Sequence, residues 1–155
     1  MKKPVIIPLF AMSVVVLGGC QDSNSTKQQT SAMEQKVEQA QWVGTYQGTT
    51  PCMGCLSRCQ DCPGMAVDLT LNQDMTYTLV RESLSGHNQV ETLTGIMRFR
   101  DAEKTQLELV NVTTRNLLVV DTKHHLLEIR EDVTANAYLA ADDFLLEQPS
   151  KSSES

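Results

Sequence analysis

The chain has 155 residues, with 13 Lys and Arg against 19 Asp and Glu and a formal net charge of -6. That balance leaves no basic patch to neutralise phosphates, so nucleic acid is excluded as an expected partner. The length suits a single domain with a modest core and leaves no room for a second.

At the N-terminus Lys2 and Lys3 precede an apolar stretch from Pro4 to Leu17, interrupted by Ser13, and then Gly18 and Gly19 before Cys20. Basic, apolar and small is the order of a secretory signal. The apolar run falls short of the roughly 20 helical residues needed to cross a hydrocarbon core. Leu17-Gly18-Gly19-Cys20 resembles the bacterial lipobox, in which small residues admit the peptidase and the thiol accepts a diacylglycerol. Residues 1–19 are therefore expected to be removed as a lipoprotein signal peptide, with Cys20 lipidated as the new first residue. Several acyl chains, each contributing about 0.8 kcal/mol per buried CH2, make such an anchor effectively permanent. Position 21 is Gln rather than the Asp that commonly marks inner-membrane retention in enteric bacteria. The expected location is the outer membrane, with the soluble part on the periplasmic face. Processing leaves 136 residues and, with Lys2 and Lys3 gone, moves the formal charge from -6 to -8.

Residues 20–41 read as the lipidated cysteine and a flexible linker, rich in Gln, Ser, Thr, Asn and charge with almost nothing apolar to bury. Ser31 through Ala40 has helix-forming composition, but Met33, Val37 and Ala40 make too thin a stripe for a stable helix. From Trp42 the pattern changes to short segments with period-two alternation, which predicts antiparallel β structure. A first strand is expected around Trp42 to Thr49. Val67, Leu69 and Leu71 then alternate with Asp68, Thr70 and Asn72, and a turn at Asn72-Gln73-Asp74 leads into Thr76 to Leu84. After a second turn at Ser85-Gly86-His87-Asn88, Val90 to Arg100 puts Leu93, Gly95, Met97 and Phe99 on one face. Further strands are expected at Gln106 to Asn111, Asn116 to Asp121, His125 to Arg130 and Phe144 to Leu146. Seven or eight strands in one meander, closed to remove exposed edges, give an all-β, small antiparallel barrel over residues 42–147. Its interior can be filled by side chains or can hold a small apolar ligand. Residues 148–155 are polar and read as a disordered tail.

The chemistry-bearing stretch runs from Pro51 to Gly64 and holds Cys52, Cys55, Cys59 and Cys62 as two C-x-x-C pairs. Their neighbours are Gly, Pro, Ser, Arg, Gln and Asp, so the cluster belongs on a loop rather than in a core. Two readings stay open. The four thiolates can converge on a soft metal, with Cu(I) or Zn(II) favoured over hard ions. Alternatively, in an oxidising compartment they pair as disulfides, and spacing does not choose among the three possible pairings. Met53 and Met65 can add thioethers but read more simply as loop filler and barrel plug. The spacing differs from bacterial ferredoxins, so an iron–sulfur cluster is not expected. Thioredoxin-type exchange needs C-x-x-C at a helix N-terminus in a βαβ fold, which this all-β pattern does not offer.

These residues carry a resemblance. A lipobox and linker are followed by Trp42-x-Gly44-x-Tyr46-x-Gly48, then Pro51-Cys52 and Cys59-Gln60-Asp61-Cys62-Pro63-Gly64-Met65, and Ala66 to Asn72 as a Thr/Leu strand. Over most of residues 42–147 the chain is similar to the N-terminal domain of the NlpE family, copper-resistance and surface-sensing lipoproteins. The resemblance implies a lipocalin-like barrel, a C-x-x-C suggested as a metal site, an outer-membrane location and a role in copper tolerance or envelope-stress signalling, with an envelope protein or stress sensor as partner. Two departures stand out. The family has one C-x-x-C and this chain has two, either of which can be the family pair: Cys52 matches by its preceding proline, while Cys59 and Cys62 match more strongly by the Pro-Gly-Met and the strand that follow. Longer members add an oligonucleotide-binding-type barrel with its own disulfide, and signalling through it is not expected here.

His124-His125 on a strand would point to opposite faces, so they are expected at the surface rather than on one ion. His87 falls in a turn. Asp142-Asp143 and the scattered glutamates lack the paired placement of acid–base catalysis and read as solvated charge. No enzymatic activity is expected. The main reading is a non-enzymatic envelope lipoprotein that binds a soft metal through Cys52, Cys55, Cys59 and Cys62. The alternative is a lipocalin-like binding or partner-contact module with those cysteines oxidised as staples. Replacing Cys20 by Ala is expected to abolish incorporation of labelled palmitate and to move the protein from the membrane to the soluble periplasmic fraction. Retention of an acylated variant on the membrane would contradict the lipobox reading.

Overall fold

The computed structural model describes residues 39–86 and 89–149. The expected signal peptide, Cys20, the linker up to residue 38, His87 and residues 150–155 lie outside the described residues. Eight strands run in sequence: β1 Gly44–Thr50, β2 Met65–Leu71, β3 Thr76–Ser83, β4 Val90–Phe99, β5 Gln106–Leu109, β6 Leu117–Asp121, β7 Leu126–Ile129 and β8 Leu145–Glu147. Each pairs antiparallel with the next, and Gln47 of β1 meets Glu147 of β8, so the meander closes into a barrel. One 3-10 turn, Ala141–Phe144, precedes β8 and is absent from the sequence expectation.

Alternation builds the interior. Tyr46, Val67, Leu69, Leu71, Tyr77, Leu79, Met97, Leu107, Leu109, Leu118, Val120, Leu127, Ile129 and Leu146 are buried, while Asp68, Thr70, Thr94 and Arg98 between them are not. Full burial of each large aliphatic side chain contributes about 1.5–3 kcal/mol. Register explains the outer face as well. Thr45 stands opposite Thr70 and their hydroxyls lie 2.9 Å apart. Arg98 opposes Glu108 and binds it with two bonds of 3.0 Å.

β1 begins at Gly44 rather than at Trp42. Trp42 sits in the preceding turn, where the Val43 N–H donates to the Ala40 carbonyl at 3.0 Å. The Trp42 ring meets Phe99 edge-on at 5.4 Å, and its carbonyl accepts from the Tyr46 hydroxyl at 3.0 Å. Burial pushes the Tyr46 pKa up, against a side-chain hydrogen bond from Gln148. The Gln148 N–H also donates to the His125 carbonyl at 3.0 Å, so ordered structure runs past Glu147 at this end, into the expected tail.

The question left open by the sequence, filled or hollow, is answered by packing. The interior void lined by Val67, Leu69, Leu79, Leu118 and Leu146 has about 10 Å³ in which a water centre can sit. That is room for one water, not for an apolar ligand. The barrel is a packed core.

Topology sorts the connections. Loops 51–64, 110–116 and 130–144 lie at one end of the barrel, with residues 84–86 that follow β3, and turns 72–75, 100–105 and 122–125 lie at the other. The described chain also begins and ends at the second end. At the closing seam, a Cβ on Gly48 would lie 2.4 Å from the Leu145 carbonyl oxygen and 2.9 Å from Leu146 Cδ2. Gly48→Val is therefore expected to lower unfolding stability by about 1–3 kcal/mol in urea titration, through overpacking. An unchanged midpoint would mean that β8 does not close against β1.

Candidate functional site

The loop from Pro51 to Gly64 joins β1 to β2 and carries all four candidate thiols. Each C-x-x-C closes a tight turn. The Cys55 N–H donates to the Cys52 carbonyl at 2.9 Å, and the Cys62 N–H to the Cys59 carbonyl at 3.2 Å. In the first turn Gly54 holds φ +85°, the left-handed value that a type II turn requires at its third position.

The expected four-thiolate site is not present in this form of the chain. Cys52 and Cys62, one from each pair, share a disulfide with Cα atoms 6.7 Å apart. Neither sulfur then has a thiolate to offer. Cys55, half-buried, and Cys59, exposed, remain as thiols. Among the described residues no three or more His, Cys, Asp or Glu are grouped to hold a metal ion. The donor set does not fit a thiolate cage while the disulfide stands. Met53 is exposed on the rim, and Met65 packs against the core, as plug rather than ligand.

What holds the loop is not visible in the sequence around it. Arg115, in the turn between β5 and β6, is 5% exposed. Its Nη1 donates to Thr50 Oγ1 at 3.1 Å and to the Pro51 carbonyl at 2.8 Å. Its Nη2 donates to the carbonyls of Cys52 at 2.9 Å and Cys55 at 3.2 Å. The guanidinium carbon also stands 5.0 Å from the centre of the Phe144 ring, which Tyr138 stacks upon at 3.8 Å. Burial pulls the Arg115 pKa below its ordinary value, opposed by the nearby Tyr138, and burial pushes the Tyr138 pKa up. A guanidinium nonetheless keeps its charge in a protein.

A second buried arginine positions the first. Arg81, on β3 and 6% exposed, donates from Nη2 to the Thr114 carbonyl at 2.7 Å. Its Nη1 pairs with Glu91 at 3.4 Å, and burial lowers its pKa too. Arg115 holds φ +59°, a conformation that costs a non-glycine residue about 1–3 kcal/mol and persists only where its surroundings enforce it. The bond from Arg81 to the preceding carbonyl is one such constraint. The Asn116 N–H, bound to Asp132 Oδ1 at 3.1 Å, is another.

The outer side of the loop is tied as well. The Arg58 N–H donates to Asp143 Oδ2 at 2.8 Å, its Nε lies 3.4 Å from Asp143 Oδ1, and its Nη2 binds the Thr49 carbonyl. Asp143 is thus a loop anchor rather than part of a freely solvated run. Nothing in the local sequence marks Arg115 or Asp143, because each meets the loop across the barrel mouth from a distant part of the chain. His124 and His125 sit in the turn before β7, at the other end from the cysteines. His125 holds φ +56° there instead of opening a strand, and His124 Nδ1 lies 2.7 Å from Asp121 Oδ2.

A closed eight-stranded meander with a filled interior and a cysteine-bearing loop over one mouth defines a class of small antiparallel β-barrel. The chain belongs to the NlpE family: the model of the NlpE N-terminal domain matches residues 46–136, which span the cysteine loop and Arg115. It is accordingly an envelope lipoprotein. Among solved structures it is similar to a crystal structure from Shewanella oneidensis, provisionally assigned as a lipoprotein. That match has a TM-score of 0.56 and 20% identity, over 73% of this chain and 97% of that one, and supports the fold. No curated protein matches the chain.

Arg115→Ala removes four donors and leaves buried carbonyls unpaired, for an expected loss on the order of 3 kcal/mol in urea unfolding. It is also expected to speed tryptic cleavage after Arg58. Unchanged cleavage would mean that the disulfide alone fixes the loop.

Proposed function

We propose that the protein is a non-enzymatic lipoprotein of the outer membrane, anchored through Cys20, that contributes to copper tolerance or envelope-stress sensing through the thiols of its cysteine loop. The observation that carries this reading is the placement of those thiols. They stand together on a loop braced by Arg115 at one end of the barrel, where Cys59 is exposed. The interior holds no room for a carried ligand, which argues against a transport role of the lipocalin kind.

In the disulfide form the loop offers only Cys55 and Cys59, and soft-metal binding through Cys52, Cys55, Cys59 and Cys62 requires reduction first. Arg115 holds backbone carbonyls rather than sulfurs, so breaking the disulfide leaves the turn carrying Cys52 and Cys55 in place. Exposed Met53 and Leu56 on the loop, with Val133 and Leu139 on the neighbouring 130–144 loop, favour a second reading in which this rim also contacts an envelope protein.

Competition against a chromogenic Cu(I) chelator tests the metal reading. The reduced protein is expected to withdraw Cu(I) from the chelator, the oxidised protein to withdraw far less, and a variant with all four loop cysteines changed to Ser to withdraw none. Equal behaviour of reduced wild type and the quadruple variant would remove metal binding and leave the contact surface.

A further inference from the structure

The loop holds one disulfide and two thiols within eleven residues, and each turn sets a thiol beside a bonded sulfur. Cys59 and Cys62 face one another as an isolated antiparallel bridge. A four-residue turn brings its end Cα atoms within about 7 Å. A disulfide spans Cα separations of about 4.4–6.8 Å, so the alternative partner of Cys62 is already close to bonding reach. Cys59 is exposed, whereas Cys55 is half-buried with its carbonyl on Arg115. The accessible sulfur beside the disulfide is that of Cys59.

We propose that Cys59 is an internal exchange nucleophile that shifts the disulfide from Cys52–Cys62 to Cys59–Cys62. The Cys59 thiol gives its proton to solvent, and its sulfur bonds to Cys62 Sγ. The Cys52–Cys62 bond breaks, and its electron pair leaves on the Cys52 sulfur, which takes up a proton. One disulfide and two thiols stand on each side of the reaction, so no oxidant or reductant is consumed.

The exchange changes what the loop presents. Before it, the disulfide staples one C-x-x-C turn to the other and the two thiols lie on different turns. After it, Cys59 and Cys62 form a closed pair within one turn. Cys52 and Cys55 become a dithiol on the other turn, whose carbonyls Arg115 already holds at 2.9 and 3.2 Å. A doubled C-x-x-C is thereby a two-position disulfide. The inference concerns bonding within the loop and stands whether or not the thiols take up metal.

Trypsin reads the pairing directly, because cleavage after Lys36, Arg58 and Arg81 separates Cys52 and Cys55, in peptide 37–58, from Cys59 and Cys62, in peptide 59–81. The full chain, purified without reductant, is held at mildly alkaline pH, quenched in acid, alkylated in denaturant and digested unreduced. Wild type is expected to give two populations. In one the peptides are cross-linked, and in the other peptide 59–81 carries an internal disulfide and peptide 37–58 carries label on Cys52 and Cys55. Cys59→Ser is expected to abolish the second population and Cys55→Ser to preserve it. Cross-linked peptides alone in wild type at every pH would overturn the proposal. So would an internal Cys52–Cys55 disulfide with label on Cys59 and Cys62, since that makes Cys55 the nucleophile. Cys52→Ser tests reach independently: it is expected to yield the Cys59–Cys62 bond on air oxidation, and free thiols throughout would contradict the geometry.

Discussion

A buried cation organises the cysteine-bearing end of this barrel. Arg115 sits buried at the cysteine-bearing mouth of the barrel, and its two amino groups meet one hydroxyl and three backbone carbonyls at the end of β1 and in the β1–β2 connection. A loop of Cys, Gly, Pro and polar residues has few apolar side chains to bury and no ladder to join. Its backbone acceptors need donors, and a forked guanidinium supplies several from one position. The phenyl ring of Phe144 lies across the same cation, and Asp143, next to it in the 3-10 turn, receives the Arg58 amide. The rim is therefore a polar network built over an apolar plug.

The two ends of the molecule consequently do different work. At one, Trp42, Phe99, Tyr46 and Gln148 close the barrel where the described chain starts and stops. At the other, the longer connections gather the cysteines, two buried arginines and several exposed apolar side chains. Holding the reactive groups on a braced rim over a packed core separates their chemistry from the stability of the fold. Changes in sulfur bonding can alter the loop without repacking the interior.

The strands are legible in the sequence because a half-solvated antiparallel sheet forces side chains to alternate. Val67, Leu69 and Leu71, or Met97 and Phe99, announce their faces without any knowledge of partners. The cysteine loop is legible for the opposite reason, since four thiols among turn-forming residues satisfy no core pattern. What stays hidden is every feature that depends on parts of the chain meeting across the mouth. Arg115 lies in a Thr-Thr-Arg-Asn turn that resembles any solvated connection, and its role comes from a loop some 60 residues earlier. Asp143 reads as solvated charge until Arg58 is beside it. The cross-turn pairing of Cys52 with Cys62, rather than within either C-x-x-C, is likewise set by how the loop folds back on itself and not by spacing.

Arg115, and not the Cys52–Cys62 disulfide, holds the cysteine loop to the barrel. Hydrogen exchange at the Cys55 amide, which donates to the Cys52 carbonyl, distinguishes the two when measured before and after reduction of the Cys52–Cys62 bond. This amide is expected to keep most of its protection after reduction, because the guanidinium contacts survive. Exchange at the rate of an unstructured peptide once the disulfide is gone would contradict it.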